Sequence, residues 1–265
     1  MVAEVLDAVE RRPSGAHLVM LSDFDGTLAP FTVDPAMSDL RQETRDLLEA
    51  LSARADVSVG LVSGRRVEDL RERVALPDQV YLAGLHGLEI RHGDLSWSHP
   101  DLMDSRELID AVVDEMDRAV GRVDGVRLEH KGMALTVHVR GASPPLRQVV
   151  LDRAAQVAQP WLERGVLKGL AANEAFELLP NILWTKGDAV QWIVDHVQAR
   201  VDRPVWCVFF GDDVTDEDAF EATSTNLSVV VGRRPSTARM RLDSPADVVA
   251  VLAGVNGGGR PEGSR

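Results

Sequence analysis

The chain has 265 residues, 45% of them hydrophobic, enough to fill one large core or two smaller ones. Its 42 acidic side chains against 29 lysines and arginines give a formal net charge of −13, which argues against non-specific binding to nucleic acid or an anionic membrane, because both need clustered positive charge. A single cysteine, Cys207, excludes an intramolecular disulfide, and no apolar stretch approaches the roughly 20 residues that span a bilayer.

Met1 to Ala16 is charged and helix-like and lacks the apolar segment of a signal peptide, so a cytoplasmic protein is expected. The first apolar run, His17 to Leu21 (HLVML), reads as a strand buried on both faces. It leads into Asp23-Phe24-Asp25-Gly26-Thr27. Two carboxylates at i and i+2 after a strand converge on one point once the chain turns, and Gly26 permits that turn. Leu40, Leu47, Leu48 and Leu51 form a helical stripe before a second strand, Val57 to Val62 (VSVGLV). Ser63-Gly64-Arg65 follows, and a helix begins near Val67. A hydroxyl and backbone N–H groups at a helix start suit a phosphate. Arg65 has two readings, a phosphate contact or a structural salt bridge.

The middle of the chain changes character. Glu107 to Val120 carries a helical stripe, Val126 to Glu129 and Met133 to Arg140 alternate as strands, Leu146 to Ala154 is helical, and Val166 to Leu170 and Glu174 to Leu179 are short strand-like runs. Met133, Leu135, Val137 and Val139 face one way; Thr136, His138 and Arg140 face the other. Arg127, Glu129 and Lys131 share a parity, and Glu177 points away from Phe176 and Leu178. This predicts an α+β domain, 104–179, inserted into a core made of 1–103 and 180–254.

Lys186-Gly187-Asp188 opens a helix with the stripe Ala189, Val190, Ile193, Val194 and Val197. A cation at a helix N-terminus opposes the macrodipole and calls for a nearby anion. A strand, Val205 to Phe210, contains Cys207 as a small buried hydrophobe and ends in Gly211-Asp212-Asp213-Val214-Thr215-Asp216-Glu217-Asp218. Five acids in eight residues repel one another unless they hold a hard cation such as Mg²⁺. A further strand, Leu227 to Val231, is followed by GRRPS, and the glycine-rich tail 255–265 is expected to be disordered. Strands alternating with helices predict an α/β fold: a parallel sheet covered on both faces, with its ligand site beyond the carboxyl ends of the strands, where every polar motif falls.

The Asp23–Thr27 signature resembles that of the haloacid-dehalogenase superfamily of phosphotransferases, which has a Rossmann-like core. The resemblance implies Asp23 as nucleophile, Asp25 as general acid/base, Ser63 with Gly64 at the phosphoryl group, and Lys186 pairing with nucleophile and phosphate. It implies Mg²⁺ on Asp23, the backbone carbonyl of Asp25, and Asp212, with Asp213 and Asp216 as ligands or supports of ligands. The insertion falls where this superfamily places a C2-type cap. GDDVTDEDAF (Gly211 to Phe220), HGLEIR (His86 to Arg91), Glu129-His130-Lys131, His138-Val139-Arg140 and Glu177 to Pro180 are similar to the trehalose-6-phosphate phosphatase family, over about Leu18 to Leu252. That likeness implies Mg²⁺-dependent hydrolysis of trehalose 6-phosphate by a monomer, with Glu129, Lys131, His138, Arg140 and Glu177 facing the sugar. The strand pattern alone reads as an ordinary solvent-facing sheet. Asn173-Glu174 stands where the family often has Gly-Lys, which keeps glucosylglycerol phosphate and validoxylamine-type phosphates as alternative substrates. A phosphomutase and a regulatory sugar-phosphate-binding domain are the other classes. The intact Asp23, Asp25, Ser63, Lys186 and Asp212 oppose the regulatory reading.

Overall fold

Alternate side chains of the His17–Ser22 strand leave in opposite directions, and both sets are buried. Leu18 and Met20 pack with Leu48, Leu51, Val248 and Leu252 on one side of the sheet. Val19 and Leu21 pack with Val190, Ile193, Phe209 and Phe220 on the other. A strand with two apolar faces needs a helical layer on each, and each fully buried Leu or Val contributes about 1.5–3 kcal/mol.

The computed structural model describes residues 1–30, 38–172 and 174–257. The chain runs through α1 (Val2–Glu10), β1 (His17–Ser22), α2 (Gln42–Ser52), β2 (Val57–Val62), α3 (Val67–Val74), β3 (Tyr81–Gly84), β4 (Glu89–His92) and β5 (Leu95–Ser98). There follow α4 (Arg106–Val120), β6 (Arg127–His130), β7 (Leu135–His138), α5 (Pro144–Glu163), β8 (Leu167–Ala172) and β9 (Ala175–Pro180). It ends with α6 (Lys186–Gln198), β10 (Val205–Gly211), α7 (Glu217–Ala222), β11 (Leu227–Val231), β12 (Met240–Leu242) and α8 (Pro245–Asn256). The chain divides into two compact units, one of which is formed by Ser98–Leu183.

The first unit is the α/β core. Its sheet has the order β12-β11-β10-β1-β2-β3-β4-β5, and the six strands from β12 to β3 are parallel. β3, β4, β5 and β12 carry no strand periodicity in the sequence because each is only three or four residues long. Cys207 is buried, and burial pushes its thiol pKa up, as expected of an inert core residue.

The second unit holds a four-stranded antiparallel sheet in the order β6-β7-β9-β8. Leu135, Val137 and Leu178 pack with Ile109, Val112, Met116, Val150 and Ala154 of α4 and α5. The cross-strand row Glu129, Thr136, Glu177 lies on the opposite face. This unit extends beyond the expected 104–179. A 3₁₀ turn, Pro100–Ser105, runs straight into α4. Asn181 is tied back through its N–H to Val166 C=O (3.1 Å) and its side-chain amide to Gly165 C=O (2.9 Å).

The expected tail also needs correction at its start. Val255 and Asn256 complete α8, whose apolar face continues through Val251 and Leu252; residues 258–265 lie outside the described residues, as does Asn173. Among the described residues, no helix is long and apolar enough to cross a membrane.

Candidate active site

β1 lies between β10 and β2, all parallel, with Ser22 opposite Phe210 on one side and Leu61 on the other. The three strands therefore end together. The next residues, Asp23, Ser63 and Asp212, emerge at one sheet edge. Lys186 reaches the same edge from the first turn of α6. Thr185 caps that helix: its hydroxyl accepts from Gly187 N–H (3.1 Å), and the Asp188 carboxylate accepts from Thr185 N–H (2.8 Å).

The Lys186 ammonium donates to Asp23 Oδ1 (2.6 Å) and Asp216 Oδ1 (2.7 Å). These are the anions that a lysine at a helix N-terminus requires, and all three residues are buried. Asp216 Oδ2 accepts from the backbone N–H groups of Asp212 (2.8 Å) and Asp213 (2.9 Å). Gly211 makes room for this: a Cβ there would lie 2.5 Å from the Asp216 carboxyl carbon. Thr27, fully buried, donates its hydroxyl to Asp212 Oδ1 (2.9 Å).

One oxygen each of Asp23, Asp212 and Asp216 lies within 4.8 Å of the others. Three carboxylates against one ammonium leave an excess of two negative charges in a largely buried space. The imbalance appears in their protonation. Burial, reinforced by Asp216 and Asp212, pushes Asp23 well above the usual carboxylate range despite Lys186. Burial and then the Asp216 charge push Asp212 up to about 7, against the Thr27 hydrogen bond. Burial works against the Lys186 ammonium, but Asp216 and Asp23 more than restore it and keep it charged. A hard divalent cation with oxygen ligands, such as Mg²⁺, fits this donor set and cancels the excess charge.

Gly26, at φ 91°, makes the turn between the two aspartates' loop and Ala29, whose carbonyl accepts from Gly26 N–H (2.7 Å). Asp25 does not join the carboxylate group. Its two oxygens accept from Arg65 Nε (2.6 Å) and Nη2 (2.7 Å), and Arg65 Nη1 donates to Asp69 (2.8 Å). The buried Arg65 thus takes the salt-bridge reading. Ser63 Oγ, also buried, accepts from Arg65 N–H (3.2 Å), with Gly64 between them. Asp213 is brought to the same loop, but its carboxylate accepts from Val214 N–H (2.7 Å) and stands outside the three-carboxylate group.

The residues expected at a sugar form their own pairs in the second unit. Lys131 donates to Glu177 (2.6 Å), which also accepts from Thr136 (3.1 Å); both Glu177 and Thr136 are buried. His138 bonds Glu129 (2.7 Å). Burial alone would raise the Glu129 pKa; His138, Lys131 and Arg127 outweigh it and hold it at about 2. Arg140 donates to Glu174 (3.1 Å), which also pairs with Arg147. Glu174 therefore belongs to an ion-pair cluster, at φ 55°. Sequence reasoning missed Thr27 and Arg234. Thr27 was visible as the last letter of the Asp23 motif; Arg234 had only its place after β11, at the same sheet edge.

The sequence profile of trehalose-phosphatase matches residues 21–246. The chain is 33% identical over 236 residues to a trehalose-phosphate phosphatase of Mycobacterium tuberculosis, covering 85% of this chain. It spans only 58% of that relative's length. Among solved structures, it resembles a trehalose-6-phosphate phosphatase C-terminal domain of C. albicans, with TM-score 0.85, 22% identity, and coverage of 97% of this chain and 96% of that one. It also resembles the C-terminal domain of a Candida albicans trehalose synthase regulatory protein, with TM-score 0.69, 13% identity, and coverage of 95% and 97%.

Proposed function

Because the chain belongs to the trehalose-phosphatase family, we propose that it is a Mg²⁺-dependent phosphatase that hydrolyses trehalose 6-phosphate through an aspartyl-phosphate on Asp23. The observation that carries this reading is the Asp23–Lys186–Asp216 arrangement beside Asp212, with its uncompensated negative charge. A phosphatase fold shared with a regulatory domain does not decide the matter, since function resides in the site.

Asp23 Oδ2 attacks phosphorus and the phosphorus–sugar oxygen bond breaks. Asp25 donates a proton to the departing sugar oxygen, then takes one from the water that attacks the acyl-phosphate and frees inorganic phosphate. To carry that proton, Asp25 gives up at least one of its two bonds to Arg65 when substrate arrives. Lys186 holds Asp23 in line and offers charge to the phosphate. Ser63 is positioned for the phosphoryl oxygens. Asp23, the carbonyl of Asp25, and Asp212 would hold Mg²⁺, with Asp216, bonded to Lys186 and to the Asp212 and Asp213 N–H groups, as a further ligand or as the support of that loop. Mg²⁺ so bound supplies charge that offsets the repulsion between nucleophile and phosphate and stabilises the transferring group. The polar face carrying Glu129, Lys131, His138, Arg140 and Glu177 offers donors and acceptors to sugar hydroxyls.

The test is phosphate release from a panel of sugar and disaccharide phosphates, with and without EDTA. Trehalose 6-phosphate should rank among the best substrates, and EDTA should abolish release until Mg²⁺ is restored. A better rate on glucosylglycerol phosphate or a pseudo-disaccharide phosphate moves the substrate and keeps the phosphatase. Undiminished release in EDTA removes the metal role.

A further inference from the structure

Asp212 is fixed by more than its own segment. Its N–H donates to Asp216 Oδ2 and its Oδ1 accepts from Thr27. The third tie comes from the turn after β11. Arg234 Nε donates to Asp212 C=O (2.6 Å), Arg234 Nη2 to Asp213 C=O (2.5 Å), and Nη1 to Pro235 C=O (2.8 Å). The guanidinium is held in turn by Glu217, whose other oxygen accepts from Thr237 N–H (2.9 Å).

This geometry does a specific job. A backbone carbonyl that ends a strand and has no ladder partner would rotate with its peptide, and the attached carboxylate would rotate with it. A planar fork that takes two successive carbonyls stops both peptides at once. Asp212 is then held at its N–H, its C=O and Oδ1, and among the described residues no donor reaches Oδ2. Because Glu217 neutralises Arg234 locally, the clamp fixes the loop without adding net positive charge beside a cation site.

We propose that Arg234, held by Glu217, is a positioning residue that presets Asp212 for the cation. The inference rests on the Mg²⁺ reading above. The experiment is calorimetric Mg²⁺ binding to the full chain without substrate, for wild type, Arg234→Gln and Arg234→Lys, with Glu217→Gln as a second route to the same clamp. Loss of an outer partner of a metal ligand weakens metal binding by about 10–100-fold. Arg234→Gln should bind Mg²⁺ at least tenfold more weakly, and Arg234→Lys, which reaches one carbonyl, should fall between it and wild type. In assays, the Mg²⁺ concentration for half-maximal rate should rise while the substrate KM at saturating Mg²⁺ stays put. A purely structural role predicts lower thermal midpoints with unchanged Mg²⁺ affinity, and that result overturns the proposal. If Arg234→Gln does not fold, unchanged affinity in Arg234→Lys and Glu217→Gln overturns it equally. Wild type that binds no Mg²⁺ refutes the metal reading itself and leaves the two failures distinct.

Discussion

The two units solve the burial of charge in opposite ways. At the sheet edge of the first, Asp23, Asp212 and Asp216 share a single lysine, and the pKa values of Asp23 and Asp212 are pushed up. On the sheet face of the second, Lys131 pairs with Glu177 and His138 with Glu129, and the Glu129 pKa is pulled down to about 2. An overloaded cluster is a cost that a bound cation would relieve. A balanced set of pairs is already satisfied, and suits a neutral polyol that exchanges hydrogen bonds with it. On the reading proposed above, the uncompensated charge marks the place of phosphoryl transfer and the balanced face the surface that recognises the sugar.

Substitutions at the two places should therefore differ in kind. The largest effect is expected from Asp23→Asn, which removes the proposed nucleophile and should lower phosphate release by about 10³-fold or more in a steady-state assay. Measurable turnover close to wild type would end the covalent mechanism. Glu177→Gln should instead act on stability. It removes the carboxylate that the largely buried Lys131 ammonium bonds at 2.6 Å, so the urea transition should show a loss of about 2–4 kcal/mol.

Asp212→Asn should move stability the other way. Its carboxyl binds protons more tightly folded (about 7) than unfolded (3.8), so ionising it costs stability as pH rises through that window. In EDTA at about pH 8 the Asn variant should be more stable than wild type by about 2 kcal/mol, an advantage that disappears near pH 4. A destabilised variant would mean that the cluster is not overloaded. Glu129 gives an effect of similar size and the opposite sign. Its folded value of about 2 lies below the usual 4.5, so its ion pairs stabilise the fold above pH 4.5 and lose that contribution as pH falls toward 2. Comparing Glu129→Gln with wild type should show a gap on the order of 2 kcal/mol at neutral pH that closes over that interval.

Much of the core was legible because its signals are local. Four buried strands announce themselves as continuous apolar runs, and each motif follows its strand directly. His17–Ser22, Val57–Val62, Val205–Gly211 and Leu227–Val231 agree with the runs read from sequence to within a residue. Strands as short as Tyr81–Gly84 and Met240–Leu242 carry too few residues to show a period, and they exist because the neighbouring strand supplies their hydrogen bonds.

Chain order already tells which chemical groups stand at the ends of the strands: two aspartates after β1, a serine after β2, a run of acids after β10 and a lysine opening α6. It also tells that the middle of the chain is a different kind of sheet. Packing selects which of those groups share a space and which are already occupied. It sent Arg65 to Asp25 and Asp69, tied both oxygens of Asp216 to Lys186 and the Asp212–Asp213 backbone, turned Asp213 to its own loop, and brought Arg234 onto Asp212 from 22 residues away. The reason is physical: a residue's type and parity follow from local covalent geometry, whereas partner choice among buried charges depends on distances and desolvation that exist only once the strands are side by side.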